Sequence, residues 1–346
     1  MNTEEKKIKV AITHGDLNGV GYEVILKTFG DSRMFDFCTP VVYGSTKVAS
    51  YHKKLLTSMP QEMVFTSVQD ASQAQDRKFN FINLTAEEVK IDLGKSTEVA
   101  GRLSRESLSR ACADLKAGKV DVLVTAPINK RNIQAPDFDF PGHTEYLSHQ
   151  FGAESLMLMV CDRIRIGIAT NHVALKDVPA TLTHDLLYSK MMLLNDSLKR
   201  DFRITRPKIA ILALDPHAGD DGVIGDFDKR VIRPVIDEVQ NKGVLAYGPF
   251  PSDGFFGSSE FNKFDGVLAL YHDQGLIPFK LMSFTEGVNY TAGLPYVRTS
   301  PAHGTGYDIA GKDKASEQSF RSAVYLACSI LRNRQEYDEL NANPLR

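Results

Sequence analysis

VDVLVTAPIN, residues 120–129, decides the fold. Its first half is a nearly unbroken run of Val and Leu. A strand with one wet face alternates apolar and polar residues, whereas a strand covered by helices on both faces does not. Six further short apolar runs recur along the chain: KIKVAIT (7–13), TPVVYGS (39–45), KFNFINL (78–84), RIRIGIAT (163–170), KIAILAL (208–214) and FDGVLALYH (264–272). Between them lie stretches with helical spacing, at 46–56, 98–116, 184–201, 226–241 and 316–334. Strands alternating with helices predict an α/β protein with parallel sheets and right-handed crossovers.

The length of 346 residues suggests two domains. The Pro- and Asp-rich loop RNIQAPDFDFPG (131–142) is a plausible junction, and a second falls near 298–304. Composition is ordinary, 42% hydrophobic and 24% charged, so a normal core is expected. The net charge of −2 offers no field for nucleic acid or an anionic membrane. No apolar run is long enough for a membrane span, and MNTEEKKIKVAIT does not read as a secretory signal. Cys38, Cys112, Cys161 and Cys328 are scattered, without a CxxC pair, as in a reduced cytoplasmic protein.

Three apolar runs lead into a histidine: RIRIGIATNH at His172, KIAILALDPH at His217 and FDGVLALYH at His272. Ligands of open α/β sheets bind beyond the carboxyl ends of strands. Three imidazoles there, with a position left for substrate, form the pattern of a catalytic metal site. Imidazole suits zinc, cobalt, nickel or iron(II), and oxygen ligands from a substrate widen the choice to magnesium or manganese. The competing reading is three separate polar loop residues. His52, His149 and His184 read as surface or satisfied core residues, and His14, which ends the first strand, stays open.

THGDLNGVGYE (13–23) lets the backbone turn tightly after the first strand, but lacks a full GxGxxG fingerprint. FPGHTEYLSH (140–149) places His143 and Thr144 at a helix start, where free N–H groups attract anions; an ordinary N-cap is the alternative for Thr144. Lys280, Asn289 and Arg298 follow His272 in loop-rich sequence that would clamp phosphate and carboxylate, or simply be solvated. TSPAHGTGYDIAGK (299–312) is a long Gly-rich loop of the functional kind.

The chain resembles the 4-hydroxythreonine-4-phosphate dehydrogenase (PdxA) family. The resemblance runs in family order through ITHGDLNGVGYE, TAPINK (125–130), PGHTEYL (141–147), ATNHVALKDVP (169–179), DPHAGDDGVIG (215–225), GPFPSDGFF (248–256), YHDQGLIPFK (271–280) and the 303–312 loop. It implies two α/β/α domains with a cleft between them, as in isocitrate and isopropylmalate dehydrogenases. Residues 1–135 with 300–346 would form the nucleotide-side domain, and 136–299 the domain for metal, substrate and dimerisation. By motif, the metal ligands fall on His172, His217 and His272. Substrate contacts fall on His143, Thr144, Lys280, Asn289 and Arg298. The HGTGYDIAGK stretch looks like an adenosine-binding loop, which puts cofactor contacts on Gly304, Asp308 and Ile309. Asp253 and Asp273 are candidates for a base or for a carboxylate that orients a ligand imidazole.

The implied reaction is NAD- or NADP-dependent oxidation and decarboxylation of 4-phosphooxy-L-threonine, with a divalent ion such as zinc, magnesium or cobalt. The product, 3-amino-2-oxopropyl phosphate, leads to pyridoxal phosphate. The family acts as a homodimer with its site at the subunit interface. This chain departs from the usual family Pro at His14, Leu17 and Tyr22, and from the usual Asn at Asp215. A paralogue that oxidises a four-carbon sugar-acid phosphate (D-erythronate or D-threonate 4-phosphate) is therefore the enzymatic alternative. A phosphate acyltransferase of related fold would need neither the histidine triplet nor the DIAGK loop. A non-catalytic metal- or nucleotide-binding regulator is the remaining class.

Overall fold

A computed structural model describes residues 7–58, 62–283 and 285–343. The strands are β1 (Lys9–Thr13), β2 (Thr39–Gly44), β3 (Phe65–Ser67), β4 (Phe79–Asn83), β5 (Val122–Thr125), β6 (Leu156–Cys161), β7 (Ile164–Ile168), β8 (Lys208–Leu212), β9 (Leu245–Phe250), β10 (Gly266–Ala269), β11 (Val288–Ala292) and β12 (Arg298–Pro301). The helices are α1 (Gly21–Phe29), α2 (Met34–Phe37), α3 (Thr46–Lys54), α4 (Glu98–Lys116), α5 (His143–Phe151), α6 (Val178–Thr181), α7 (His184–Arg200), α8 (Arg233–Asn241), α9 (Ser252–Gly257), α10 (His272–Ser283) and α11 (Gln318–Asn341). The chain divides into two compact units, Met1–Tyr146 with Tyr296–Leu331, and Leu147–Pro295 with Arg332–Arg346. Helices α5 and α11 each contribute residues to both.

In the first unit the strand order is β3-β4-β2-β1-β5-β12, and every described pairing is parallel. All four residues of β5 and all six of β2 are buried, as strands covered on both faces must be. Order runs outward from β1 in opposite directions, toward β2 on one side and β5 on the other. The loops after β1 and β5 therefore diverge, which is the switch-point geometry where α/β sheets bind ligands. Two of this unit's helices begin at side chains that accept a free N–H of the first turn: Ser45 caps α3 and Thr97 caps α4.

The second unit has the order β11-β6-β7-β10-β8-β9. Here the all-parallel expectation is corrected: β6 runs antiparallel to both β7 and β11. The cause is local. Only Asp162 and Arg163 separate β6 from β7, too short for a parallel crossover but enough for a hairpin. Strands β7, β10, β8 and β9 are mutually parallel in that order. All seven runs read as strands are strands. Five others were missed: β3 and β12 are short, β11 is interrupted by polar residues, β9 is interrupted by Gly248 and Pro249, and β6 lies beside its hairpin partner. The helix expected over 226–241 is a π-turn at Asp228–Ile232 continued by α8.

Cys38, Cys112 and Cys328 are buried, and all four cysteines are free thiols. Among the described residues no helix is long and apolar enough to cross a membrane.

Candidate functional site

The strand order of the second unit places the three sequence-selected histidines on consecutive loops. His172 follows β7, His272 follows β10 at the start of α10, and His217 follows β8; these three strands are neighbours with β10 in the middle. Adjacent strands lie about 5 Å apart, so residues just past their ends are natural partners. The Ala169 N–H donates to the Ala269 carbonyl at 2.9 Å, and Thr170 Oγ1 donates to the Leu270 carbonyl at 2.8 Å, tying the His172 loop to the end of β10. On the other side buried Gln274 accepts from the Leu270 N–H at 2.6 Å and donates to the Ala213 carbonyl at 2.6 Å. It thus staples the end of β10 to the end of β8. Sequence reasoning missed Gln274, although its place two residues after His272 in YHDQG was a signal.

The structure brings His172 and His272 together, with ring centroids 5.7 Å apart. Metal–nitrogen bonds of about 2.0–2.1 Å place two rings on one ion at a comparable separation. Asp273 Oδ1 lies 2.7 Å from His272 Nδ1, so the tautomer with Nδ1–H leaves Nε2 free for an ion. A carboxylate behind a ligand imidazole is the usual orienting arrangement. His217 is not gathered in: among the described residues no three His, Cys, Asp or Glu groups are close enough to hold an ion. Its loop has an unusual backbone. Residues His217, Ala218, Gly219, Asp220 and Asp221 all have positive φ, between 44° and 81°. Such left-handed backbone costs roughly 1–2 kcal/mol per L-residue. The Asp228 carboxylate anchors the loop by accepting the Leu214 and Asp215 N–H groups, each at 2.9 Å. The paired imidazoles of His172 and His272 are donors of a kind that suits a divalent ion, and His217 stands on the loop after the neighbouring β8.

Asp253 is exposed in the first turn of α9, next to Ser252, whose hydroxyl accepts from Gln274 at 2.9 Å. Lys280 is exposed in the last turn of α10. Asn289 lies on β11 with its Oδ1 buried and lacking a hydrogen-bond donor.

The first unit brings Arg298 and Lys130 within electrostatic reach of His143. Arg298, on β12, is 1% exposed and donates to Thr125 Oγ1 of the adjacent β5 from Nη2 at 2.6 Å and Nε at 3.2 Å. Burial pushes its guanidinium down to about 9, against the opposing influence of Cys112 and Glu145. His143 opens α5 with a buried Nε2 that has no hydrogen-bond partner. Burial first, then the charges of Arg298 and Lys130, hold its imidazole well below the ordinary histidine range. The result is a neutral ring near two cations with one polar atom unused. Thr144 is buried beside it. Lys130 and Thr125 were not singled out from the sequence, though both belong to the TAPINK motif. In the 303–312 loop Gly304 and Asp308 are exposed and Ile309 is half-buried.

Three of the four positions that depart from the family pattern pack into the core, and Asp215 is half-buried. His14, Leu17 and Tyr22 are 3%, 1% and 1% exposed. Tyr22 is stacked between His14 and His52, each pair of centroids 5.2 Å apart, and His52 Nε2 lies 2.9 Å from the Leu17 carbonyl. His52 is therefore a satisfied core residue. His149 and His184 are exposed, the latter 3.0 Å from Glu238.

A family model, "Pyridoxal phosphate biosynthetic protein PdxA", matches residues 36–327. The chain is 49% identical over 345 residues to the 4-hydroxythreonine-4-phosphate dehydrogenase of Bacteroides thetaiotaomicron, covering 99% of this chain and 94% of that protein. It is 38% identical to the enzyme of that name from Sulfurihydrogenibium sp., covering 95% of this chain and all of that one. The solved structure of 4-hydroxythreonine-4-phosphate dehydrogenase from Klebsiella pneumoniae superimposes with a TM-score of 0.80 at 31% identity, covering 94% and 100% of the two chains. With its α/β fold, its strand-end histidines and these full-length matches, the chain belongs to the PdxA family of oxidoreductases.

Proposed function

We propose that this enzyme oxidises 4-phosphooxy-L-threonine at its C3 hydroxyl, passing hydride to NAD⁺ or NADP⁺, and that the resulting β-keto acid loses CO2 to give 3-amino-2-oxopropyl phosphate. The strongest support is the full-length likeness to the Bacteroides thetaiotaomicron enzyme, whose name specifies a phosphorylated hydroxy amino acid. A divalent ion, when bound, supplies Lewis acidity that eases loss of the hydroxyl proton and stabilises negative charge left by decarboxylation.

His172, His272 and His217 are the residues that would hold that ion. Asp273 holds the His272 ring through Nδ1, leaving Nε2 as the nitrogen that would bind the ion. His143, Thr144, Lys130 and Arg298 form the anion-binding set. The neutral His143 ring contributes an N–H or a lone pair without adding charge. Lys280 and Asn289 make the further substrate contacts, and the unpaired Asn289 Oδ1 suits a substrate ammonium or hydroxyl. Gly304, Asp308 and Ile309 take the dinucleotide. Asp253 is left as the candidate proton acceptor. The working form is a homodimer.

Three of the four departures from the family pattern, His14, Leu17 and Tyr22, are buried in the core, and the fourth, Asp215, stands two residues from His217. The threonine derivative is favoured over a four-carbon sugar-acid phosphate by the names of the full-length relatives. Following reduction of NAD⁺ and NADP⁺ with 4-phosphooxy-L-threonine and D-erythronate 4-phosphate side by side, before and after chelation, tests the reading. Faster turnover of the sugar acid would overturn the substrate, and full activity after chelation would overturn the ion.

A further inference from the structure

At the switch point of the first unit, loops from four parts of the chain are joined through one buried carboxylate. Asp16 follows β1 and is fully buried. Its Oδ1 accepts the Asn18 N–H at 2.9 Å. Its Oδ2 accepts two bonds, from the Tyr307 hydroxyl and from Asn132 Nδ2, each at 2.8 Å. Tyr307 lies in the loop after β12, and its hydroxyl also accepts from Asn129 Nδ2 at 3.0 Å. Asn129 and Asn132 belong to the loop after β5, so one tyrosine oxygen links three loops. Asn18 adds the fourth: its side chain donates to the Lys95 carbonyl at 2.9 Å and Thr97 Oγ1 at 3.0 Å, and accepts the Asp92 N–H at 2.8 Å.

The backbone follows the same path. The Asp16 N–H donates to the Pro127 carbonyl at 2.8 Å, and the Val20 N–H to the Thr305 carbonyl at 2.9 Å. Gly15 has φ +66°, and a Cβ there would lie 2.2 Å from the Pro127 oxygen. The loop after β1 must therefore be glycine at this point to bring Asp16 under Tyr307. A buried carboxylate with three donors is a costly element whose return is a fixed geometry.

We propose that Asp16, acting through Tyr307, is the positioning residue that holds the 303–312 loop in the shape that receives the nicotinamide dinucleotide. This rests on the reading of that loop as the cofactor's. Tyr307 stands between Gly304 and Asp308–Ile309, so its hydroxyl pins the middle of the segment while the flanking residues stay available to the ligand. Asp16 is fully buried with both carboxylate oxygens held by the protein, so it acts through Tyr307. Its effect is to remove loop disorder before binding.

The test uses the full-length enzyme and NAD⁺ as probe. Tyr307→Phe keeps the ring and removes the hydroxyl bonds. Asp16→Asn keeps the shape but turns a donor toward Tyr307 or Asn132. Each change should raise the NAD⁺ Kd about tenfold, the worth of one hydrogen bond to a charged group. The double variant should bind about as weakly as either single one, because both break the same link. KM for NAD⁺ should rise while KM for the phosphorylated substrate stays put, and amides of 303–312 should exchange faster. Unchanged exchange and unchanged Kd in Tyr307→Phe, the milder variant, would overturn the positioning role. Faster exchange with an unchanged Kd would overturn the assignment of the loop to the dinucleotide instead.

Discussion

The His14–Tyr22–His52 stack makes the first unit acid-labile by an amount that can be worked out. Both imidazoles are buried, 3% and 2% exposed, and burial pushes each down to about 4 from 6.5. Between pH 4 and 6.5 the unfolded chain therefore binds more protons than the folded one, and stability rises with pH. The contribution is fully present above pH 6.5 and is lost as pH falls toward 4. Linkage over these two values gives a loss of about 1.8 kcal/mol per ring between pH 7 and pH 5, or about 3.6 kcal/mol for the pair. The perturbation is His14→Phe with His52→Gln. Phe preserves a ring against Tyr22, and Gln can still donate to the Leu17 carbonyl, but neither titrates. Urea unfolding followed by circular dichroism at pH 5, 6, 7 and 8 compares the slopes, and the slope rather than the absolute stability carries the answer. His143 adds a background slope common to both proteins. A wild-type loss between pH 7 and 5 that exceeds the variant's by less than about 1 kcal/mol would refute the reasoning.

Three other outcomes are expected. Arg334→Met removes the cation that donates to Asp201 at 2.7 Å and Tyr290 at 2.8 Å in a buried network; urea unfolding should show a loss of about 3–5 kcal/mol, and less than 1 kcal/mol would mean the network is solvated. Gly44→Ala would place a Cβ 2.4 Å from Tyr22 Oη and 3.3 Å from His14 Cδ2, with Tyr22 already holding the Ser45 N–H; thermal melting should register about 1–3 kcal/mol of overpacking, and an unchanged melt would show that the stack yields freely. Arg298→Lys keeps the charge but loses the planar fork that bonds Thr125, so steady-state kinetics should show KM for the phosphorylated substrate rising about tenfold with KM for NAD⁺ unchanged; equal rises in both would remove Arg298 from the anion site.

Local pattern alone determined a good deal. Unbroken apolar runs such as VDVLVT require burial on both faces, so the α/β class and seven of the strands were legible from periodicity. The strand-end positions of His172, His217 and His272 were equally local, because a residue's distance past an apolar run is written in the chain. Which loops become neighbours is a different kind of fact. The order β7-β10-β8 that puts His272 between the other two depends on pairing across the sheet, and the left-handed backbone of the His217 loop, which begins beside the Asp228 carboxylate, is not written in any local pattern. The antiparallel β6 could not be told from its neighbour without the two-residue turn being seen as a hairpin. The burial of His143 near Arg298, and the bond from Tyr307 to Asp16 across 291 residues of sequence, are invisible to any window along the chain. Periodicity reports which face a residue turns, whereas partners so distant in sequence are chosen only when the folded chain has spent its entropy to bring them together.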